Sequence, residues 1–150
     1  MSEEKLGLIR KDFNVHAGNY FRELLEKHTF SDVTHVSEDH QQIKAHKTVL
    51  NTASPFVKDI FRENHHPHPL IYLQVKYSYL EALVRFIYLG ECEVLQKDLD
   101  QFLSTAKKLR VEGLNSEEGG WGVKGEELEA QEDAENIHHG NKILYSRGKL

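Results

Sequence analysis

Ten histidines and one cysteine are the residues of this 150-residue chain that most readily support chemistry. His65, His66 and His68 are close enough in sequence to suggest metal ligands, but they stand in a proline-broken loop with only Glu63 as a nearby carboxylate. Structural zinc sites use four ligands held on rigid elements. We therefore interpret these histidines as solvated loop residues, and the sequence predicts no metal site and no cofactor.

Cys92 is the second candidate, as a catalytic nucleophile. A reactive thiol needs a histidine base and a positively charged setting that lowers its pKa. Cys92 instead lies between Glu91 and Glu93, whose charges should raise the thiol pKa, so we interpret it as inert. The chain has no glycine-rich phosphate loop, no Gly-x-Ser-x-Gly motif and no His-Glu-x-x-His motif. The sequence therefore predicts no enzyme and no catalytic residue.

Charge divides the chain into two parts. Residues 115–150 hold eight of the 24 acidic and four of the 19 basic side chains, so residues 1–114 are nearly neutral. No basic patch is left to neutralise phosphates, which argues against direct binding to nucleic acid. No apolar run reaches the roughly 20 residues of a membrane span. We predict one folded domain over residues 1–114, closed by Gly113, and an acidic, glycine-rich, mostly disordered tail over residues 115–150.

The N-terminal helix is the first element that apolar spacing predicts. It follows a short extended stretch around Leu8, and Asp12 or Asn14 is positioned to cap it. Large side chains recur every three or four residues and form an aromatic stripe, which includes Phe13, Ala17, Tyr20, Phe21 and Leu24. The stripe either packs in the core or forms an interface with a second chain, and Gly18 weakens the helix. The pattern by itself favours the core.

Short strands and further helices follow. Residues 31–45 are predicted to form a hairpin with its turn at residues 37–40, and residues 70–73 a short apolar strand. Ser54 followed by proline is a strong helix start. Ser78 and Glu81 have the spacing of a capping box for the next helix, which Gly90 ends. The apolar period then repeats from residue 99 to residue 109, and Gly113 is predicted to stop that last helix.

Several blocks of sequence, taken in order, resemble the BTB/POZ domain, and the similarity covers roughly residues 8–114. They are most similar to the tramtrack-type BTB proteins of arthropods, many of which are transcription factors with zinc fingers downstream. The blocks include Phe30-Ser31-Asp32-Val33-Thr34, Ile43-Lys44-Ala45-His46-Lys47-Thr48-Val49-Leu50, Ser54-Pro55-Phe56, His66-Pro67-His68-Pro69-Leu70-Ile71-Tyr72-Leu73 and Phe86-Ile87-Tyr88-Leu89-Gly90-Glu91.

The resemblance implies an α+β fold, with a cluster of helices flanked by a short mixed sheet. It also implies a homodimer in which the N-terminal strand and helix are exchanged between chains. Large aromatic side chains dominate such interfaces. The expected interface residues are Leu8, Phe13, Ala17, Tyr20, Phe21 and Leu24. The charged pocket of the family falls on Asp32 and Lys47 here.

Four features depart from the family pattern. His35 stands where the strand usually has an apolar residue, so it should weaken the inner face of the sheet. Only Gln74 separates Leu73 from Val75, which shortens a turn. Tyr79 replaces an acidic residue after the capping serine. The single cysteine excludes a zinc finger within this sequence, because such a finger needs two cysteines.

These observations predict a BTB/POZ dimerisation module that acts in the regulation of transcription. The expected partners are a second copy of the chain, other BTB proteins and corepressors, with no direct contact to nucleic acid or membrane. The expected location is the nucleus, with the cytoplasm as the alternative. A competing hypothesis is a substrate adaptor that docks a cullin scaffold of a ubiquitin ligase. Such adaptors usually carry additional helices and a substrate domain, and residues 115–150 supply neither.

Overall fold

Three short strands and five α-helices form the part of the chain that the computed structural model describes, residues 2–114 and 120–124. A 3-10 turn at Gln96–Asp98 precedes the last helix. In chain order the elements are α1 (Phe13–Lys27), β1 (Val33–Val36), β2 (Gln42–Ala45), α2 (Lys47–Ala53), α3 (Pro55–Glu63), β3 (Leu70–Tyr72), α4 (Tyr77–Leu89) and α5 (Leu99–Lys108).

β1 is the central strand of a mixed sheet in the order β2-β1-β3. It runs antiparallel to β2, with His35 opposite Ile43, and parallel to β3, with His35 opposite Ile71. Since paired residues of neighbouring strands share a face, these three side chains point to the same side of the sheet, and all are buried. The predicted α+β fold with a small mixed sheet is confirmed, and so is the hairpin.

α4 is the centre of the helical cluster. It packs against α1, α2 and α5, and its buried residues recur at the three- and four-residue spacing of an amphipathic stripe. Phe102 of α5 meets the ring of Tyr79 edge-on, with 6.2 Å between the ring centroids. The short connection after β3 is accommodated, because Leu73 and Val75 are both buried while Gln74 between them is exposed. The apolar periods of α4 and α5 therefore build the core.

The starts of two helices agree with the sequence only in part. Ser54 caps α3 as predicted, since its Oγ accepts a hydrogen bond from the Val57 main-chain N–H at 3.2 Å. The capping box predicted at Ser78 and Glu81 is wrong, because α4 begins at Tyr77 with Lys76 as its N-cap residue, two residues earlier than predicted, and leaves Ser78 inside its first turn. The carboxylate of Asp39, in the β1–β2 turn, accepts the Tyr77 main-chain N–H at 2.9 Å instead.

Two further helix ends differ from the prediction. Asp12 precedes α1 in a left-handed conformation, with φ of 59°, and its side chain makes no capping hydrogen bond. α5 ends at Lys108 rather than at Gly113. Arg110 turns the chain with φ of 52°, and the segment behind it buries Val111 and Leu114 in the core. The helix ends before Gly113, and the apolar residues that follow it pack in the core. Gly90 ends α4 with φ of 75°, as predicted.

Residues 120–124 return to the folded body. Trp121 packs, half-buried, against the hydrophobic core. Lys124 forms an ion pair with Glu91 at 3.0 Å, which holds the pKa of Glu91 below its ordinary value. Gly113 has φ of 87° and lies close to Gly120. A Cβ atom on Gly120 would lie 3.0 Å from the Gly113 carbonyl oxygen. Contacts thus extend beyond residue 114, and most of the predicted tail lies outside the described residues.

Candidate interaction surface

α1 lies against α4, and its aromatic side chains stay largely exposed. Leu24 packs half-buried against the core together with Leu25, and Ala17 is also half-buried. Phe13, Tyr20 and Phe21 remain 56%, 50% and 41% exposed. No residue of α1 is fully buried in the single chain. The predicted stripe is therefore divided between an inward edge and an uncovered aromatic face.

The arm before α1 enlarges the uncovered apolar area. Residues 2–10 form neither helix nor strand, and Leu6, Leu8 and Ile9 are between 85% and 94% exposed. Arg10 connects the arm to the helix, because its guanidinium donates to the Tyr20 hydroxyl at 3.1 Å and lies 5.8 Å from the centroid of that ring. We call the exposed apolar side chains of arm and helix the N-terminal apolar surface; they are Leu6, Leu8, Ile9, Phe13, Val15, Tyr20 and Phe21.

The two residues of the expected charged pocket are neighbours that interact through the main chain. The Asp32 carboxylate accepts the main-chain N–H of Lys47 at 2.7 Å and thereby satisfies the first turn of α2. The Lys47 ammonium points elsewhere, to the carbonyl oxygen of His66 at 2.9 Å. Both residues are partly exposed, and no ion pair joins them within the described part of the chain. Lys47 is therefore hydrogen-bonded to the histidine-rich loop, whereas Asp32 is hydrogen-bonded to the first turn of α2.

The loop histidines serve local structure. His66 Nδ1 accepts the main-chain N–H of His68 at 3.0 Å, and His68 Nε2 lies 2.8 Å from the Thr34 hydroxyl of β1. Among residues 2–114 and 120–124, no group of three histidine, cysteine, aspartate or glutamate side chains is arranged to hold a metal ion. The loop is thus tied to the sheet through hydrogen bonds.

Cys92 has the raised pKa that the sequence predicts, but for a different reason. The thiol is partly buried, and this burial raises its pKa, whereas the positive charge of Arg85 lowers it. The neighbouring carboxylates of Glu91 and Glu93 are not the cause, since Glu91 is directed to Lys124. A thiol with a raised pKa holds little thiolate at neutral pH and is a poor nucleophile.

A second exposed apolar group lies on the sheet side and was not recognised from the sequence. Leu70 and Tyr72 of β3 are 67% and 58% exposed, on the face of the sheet opposite the core. The alternation of side chains along a strand was the available signal, because buried Ile71 lies between them. Arg10 was also missed, since nothing in the local sequence marks its contact with Tyr20.

The fold and this surface define a class of protein. A small α+β domain exposes aromatic side chains on a helix that buries no residue completely, and exposed apolar side chains of this kind mark sites of protein interaction. The family model of the BTB/POZ domain matches residues 21–117. The chain belongs to the BTB/POZ family, whose members are protein-interaction modules that commonly self-associate and bind other BTB proteins.

Relatives from Drosophila melanogaster support the assignment. The chain is 41% identical over 114 residues to "Longitudinals lacking protein-like", covering 75% of this chain and 89% of that protein. It is 46% identical over 92 residues to "Sex determination protein fruitless" and 40% identical over 106 residues to "Protein tramtrack, alpha isoform". These matches cover 61% and 68% of this chain, but only 10% and 13% of the two relatives.

A solved structure supports the fold independently. The BTB domain of zebrafish PATZ1 superposes with a TM-score of 0.61, covering 73% of this chain and 91% of that chain, at 14% sequence identity. At this identity the likeness concerns the fold. No helix among the described residues is both long enough and apolar enough to cross a bilayer.

Proposed function

We propose that this chain is a dimerising module of a transcription regulator and that it pairs with a second copy through the N-terminal apolar surface. The observation that carries the proposal is the exposure of Phe13, Tyr20 and Phe21 on a helix that buries no residue completely. Large exposed apolar patches are rare on monomeric proteins and mark interaction sites. The extended arm fits an exchange between chains, since its leucines make no core contact of their own.

The wider role rests on the family. The tramtrack-type resemblance and the similarity to tramtrack and fruitless support an action in transcription regulation, and hence in the nucleus. A two-fold pair of these domains would bring two chains together and present their joint surface to other BTB proteins or to corepressors. In this role the chain assembles proteins.

The test is the molar mass of the full chain in solution. We expect about 35 kDa, twice the 17.4 kDa of one chain, by light scattering coupled to gel filtration. The variant Phe13→Glu/Phe21→Glu should weaken association strongly, because each central aromatic contact of an interface contributes about 2 kcal/mol or more, a factor of about 30 in Kd. The variant should then elute near the mass of a single chain.

A matched control separates this surface from exposed apolar residues in general. Leu70→Glu/Tyr72→Glu places the same two charges on the outer face of the sheet, at side chains of similar exposure. This variant should keep the dimer, and both variants should keep the helical circular dichroism of the wild type. A monomeric wild type, or equal dissociation of the two variants, would contradict the proposal.

A further inference from the structure

Phe30 is an aromatic side chain that the single chain leaves almost entirely in solvent. It lies in the turn between α1 and β1 and is 88% exposed, more than any other aromatic residue in the part of the chain that the structure describes. It belongs neither to the hydrophobic core nor to the partly buried side chains that pack against the core. An isolated exposed apolar residue is common on protein surfaces, so the backbone and the surroundings of Phe30 have to show whether this one is special.

The backbone conformation of Phe30 is unfavourable for a phenylalanine. Its φ is 60°, in the left-handed region, where the Cβ atom of an L residue approaches a carbonyl oxygen and where glycine or asparagine is favoured. A bulky residue with positive φ is a rare exception and persists only where the surrounding structure holds it. Glycine or asparagine would fit the turn better. Neither the core nor the turn therefore requires an aromatic ring at this position.

Hydrogen bonds on both sides of Phe30 hold the turn. The Ser31 main-chain N–H donates to the His28 carbonyl oxygen at 3.2 Å. The Thr29 carbonyl oxygen lies 2.6 Å from Nε2 of the buried His46, which connects the turn to the start of α2. The ring is thus presented from a pre-organised segment. Pre-organisation lowers the conformational entropy that is lost when a side chain is immobilised by binding.

The exposed aromatic side chains are concentrated in the same part of the chain as Phe30. Of the five that the described residues contain, Tyr72 lies on β3, and the other four lie in α1 and in the turn that directly follows it: Phe13, Tyr20, Phe21 and Phe30. Residues 28–31 include no aspartate, glutamate, lysine or arginine. A two-fold contact brings the same patch of both chains together. An uncharged turn that continues α1 can therefore meet a second copy without repulsion between like charges.

We propose that Phe30 is an anchor residue of the contact between two copies of this chain, an inference that rests on the proposed pairing function. In the pair, the ring of each chain packs against apolar surface of the other chain and is removed from water. The left-handed backbone is retained because it directs the ring outward from a turn that is held in place. Phe30 thus extends the N-terminal apolar surface beyond the end of α1.

Self-association of the full chain, measured by analytical ultracentrifugation over a dilution series, tests the proposal. Phe30→Asn removes the ring, and asparagine tolerates the left-handed backbone. We expect its dissociation constant to be about 30-fold higher than that of the wild type, the effect of losing one aromatic anchor. His28→Gly is the matched control, because it changes a second left-handed residue of the same turn, with φ of 54°, and keeps the ring. It should associate like the wild type.

The outcomes separate this inference from the pairing function. Equal association of Phe30→Asn and the wild type would exclude a second copy as the partner of the ring and overturn the proposal, while pairing through α1 would stand. If His28→Gly weakened association as much as Phe30→Asn, the conformation of the turn rather than the ring would be responsible, which would also overturn it. A wild type that stays monomeric would contradict the pairing function itself.

A stability measurement distinguishes an interface role of Phe30 from a structural one. It uses the variant Phe13→Glu/Phe21→Glu, which is expected to be a single chain, so that dissociation does not affect the melting temperature. Adding Phe30→Asn to it should leave the melting temperature unchanged or raise it, because the ring makes no core contact and asparagine relieves the backbone. A clear fall in the melting temperature would show that the ring supports the fold of one chain and would overturn the proposal.

Discussion

The two buried histidines among the described residues differ in their hydrogen bonding. The Tyr88 hydroxyl accepts the main-chain N–H of His46 at 2.8 Å and is therefore free to donate to His46 Nδ1, which leaves Nε2–H to donate to Thr29. Burial raises the pKa of Tyr88 to about 12, so this hydroxyl keeps its proton. His35 has no such network, and its neutral state follows from burial in apolar surroundings.

His35 should make the stability of the domain sensitive to acid. Its pKa is about 4 in the folded chain and near the ordinary 6.5 in the unfolded chain, so the unfolded state binds more protons between these values. The stabilisation is complete above pH 6.5 and declines as the pH falls towards 4, by roughly 3 kcal/mol in total. Urea unfolding between pH 7.5 and pH 4.5 measures this loss.

Two variants isolate the contribution of His35 from that of the other titrating groups. His35→Leu should unfold with a shallower pH dependence than the wild type, because the buried proton acceptor is gone. His65→Ala removes an exposed histidine of the loop and should leave the dependence unchanged. Parallel pH profiles for the wild type and His35→Leu would show that His35 remains close to its ordinary pKa.

At the scale of elements, α4 depends on a side chain from a distant turn. The Asp39 carboxylate accepts hydrogen bonds from the Tyr77 N–H and from the Ser37 hydroxyl, and the Ser37 contact is the larger cause of its lowered pKa. We expect Asp39→Ala to lower the melting temperature, because it leaves the first turn of α4 without its cap. Ser78→Ala should have almost no effect. Thermal unfolding followed by circular dichroism compares the two.

If the two variants affect stability in the opposite order, the result supports the capping box that the sequence predicts. If Ser78→Ala destabilises the domain while Asp39→Ala does not, α4 begins at its own serine rather than at the β1–β2 turn. The pH dependence of stability provides a second test, because a protonated Asp39 carboxyl group is a weaker hydrogen-bond acceptor. The difference between wild type and Asp39→Ala should therefore shrink as the pH falls through the lowered pKa of Asp39.

Local sequence signals predict some of these element ends, and contacts between distant residues determine the others. Apolar periodicity predicted α1, α4 and α5, and Ser54 predicted the start of α3, because these signals are local. The cap on α4 could not be predicted in this way, since Asp39 is 38 residues from Tyr77 in the chain. The early end of α5 also depends on distant contacts, because it follows from the burial of Val111.

The candidate surface was only partly predictable for a similar reason. Spacing identified the stripe that contains Phe21 and Leu24, but both edges of an amphipathic stripe look alike in sequence. Only packing on α4 shows that Leu24 turns inward and Phe21 stays exposed. Periodicity alone favoured the core, whereas the family resemblance favoured an interface. The interface remains a prediction, which the molar mass of the wild type and of Phe13→Glu/Phe21→Glu tests.

For the whole molecule, net charge sets an expectation about nucleic acid. The chain carries −5 overall, so it lacks the counterion release that drives non-specific binding. We expect the purified chain to leave a short DNA duplex unshifted in a gel at about 0.15 M salt. A finger-bearing tramtrack-type protein serves as the positive control. A shift by the chain alone, weakening as salt is added, would contradict this expectation.

The packing of Trp121 gives the molecule an optical reporter. It is the only tryptophan in the sequence, and it rests half-buried on the core at a point where Lys124 holds the same short segment to Glu91. Its fluorescence emission therefore reports on the attachment of residues 120–124 rather than on the aromatic face of α1. A red shift without loss of helical signal would mark release of this segment from an intact domain. Detachment can thus be followed separately from unfolding, in the unmodified chain and without an added dye.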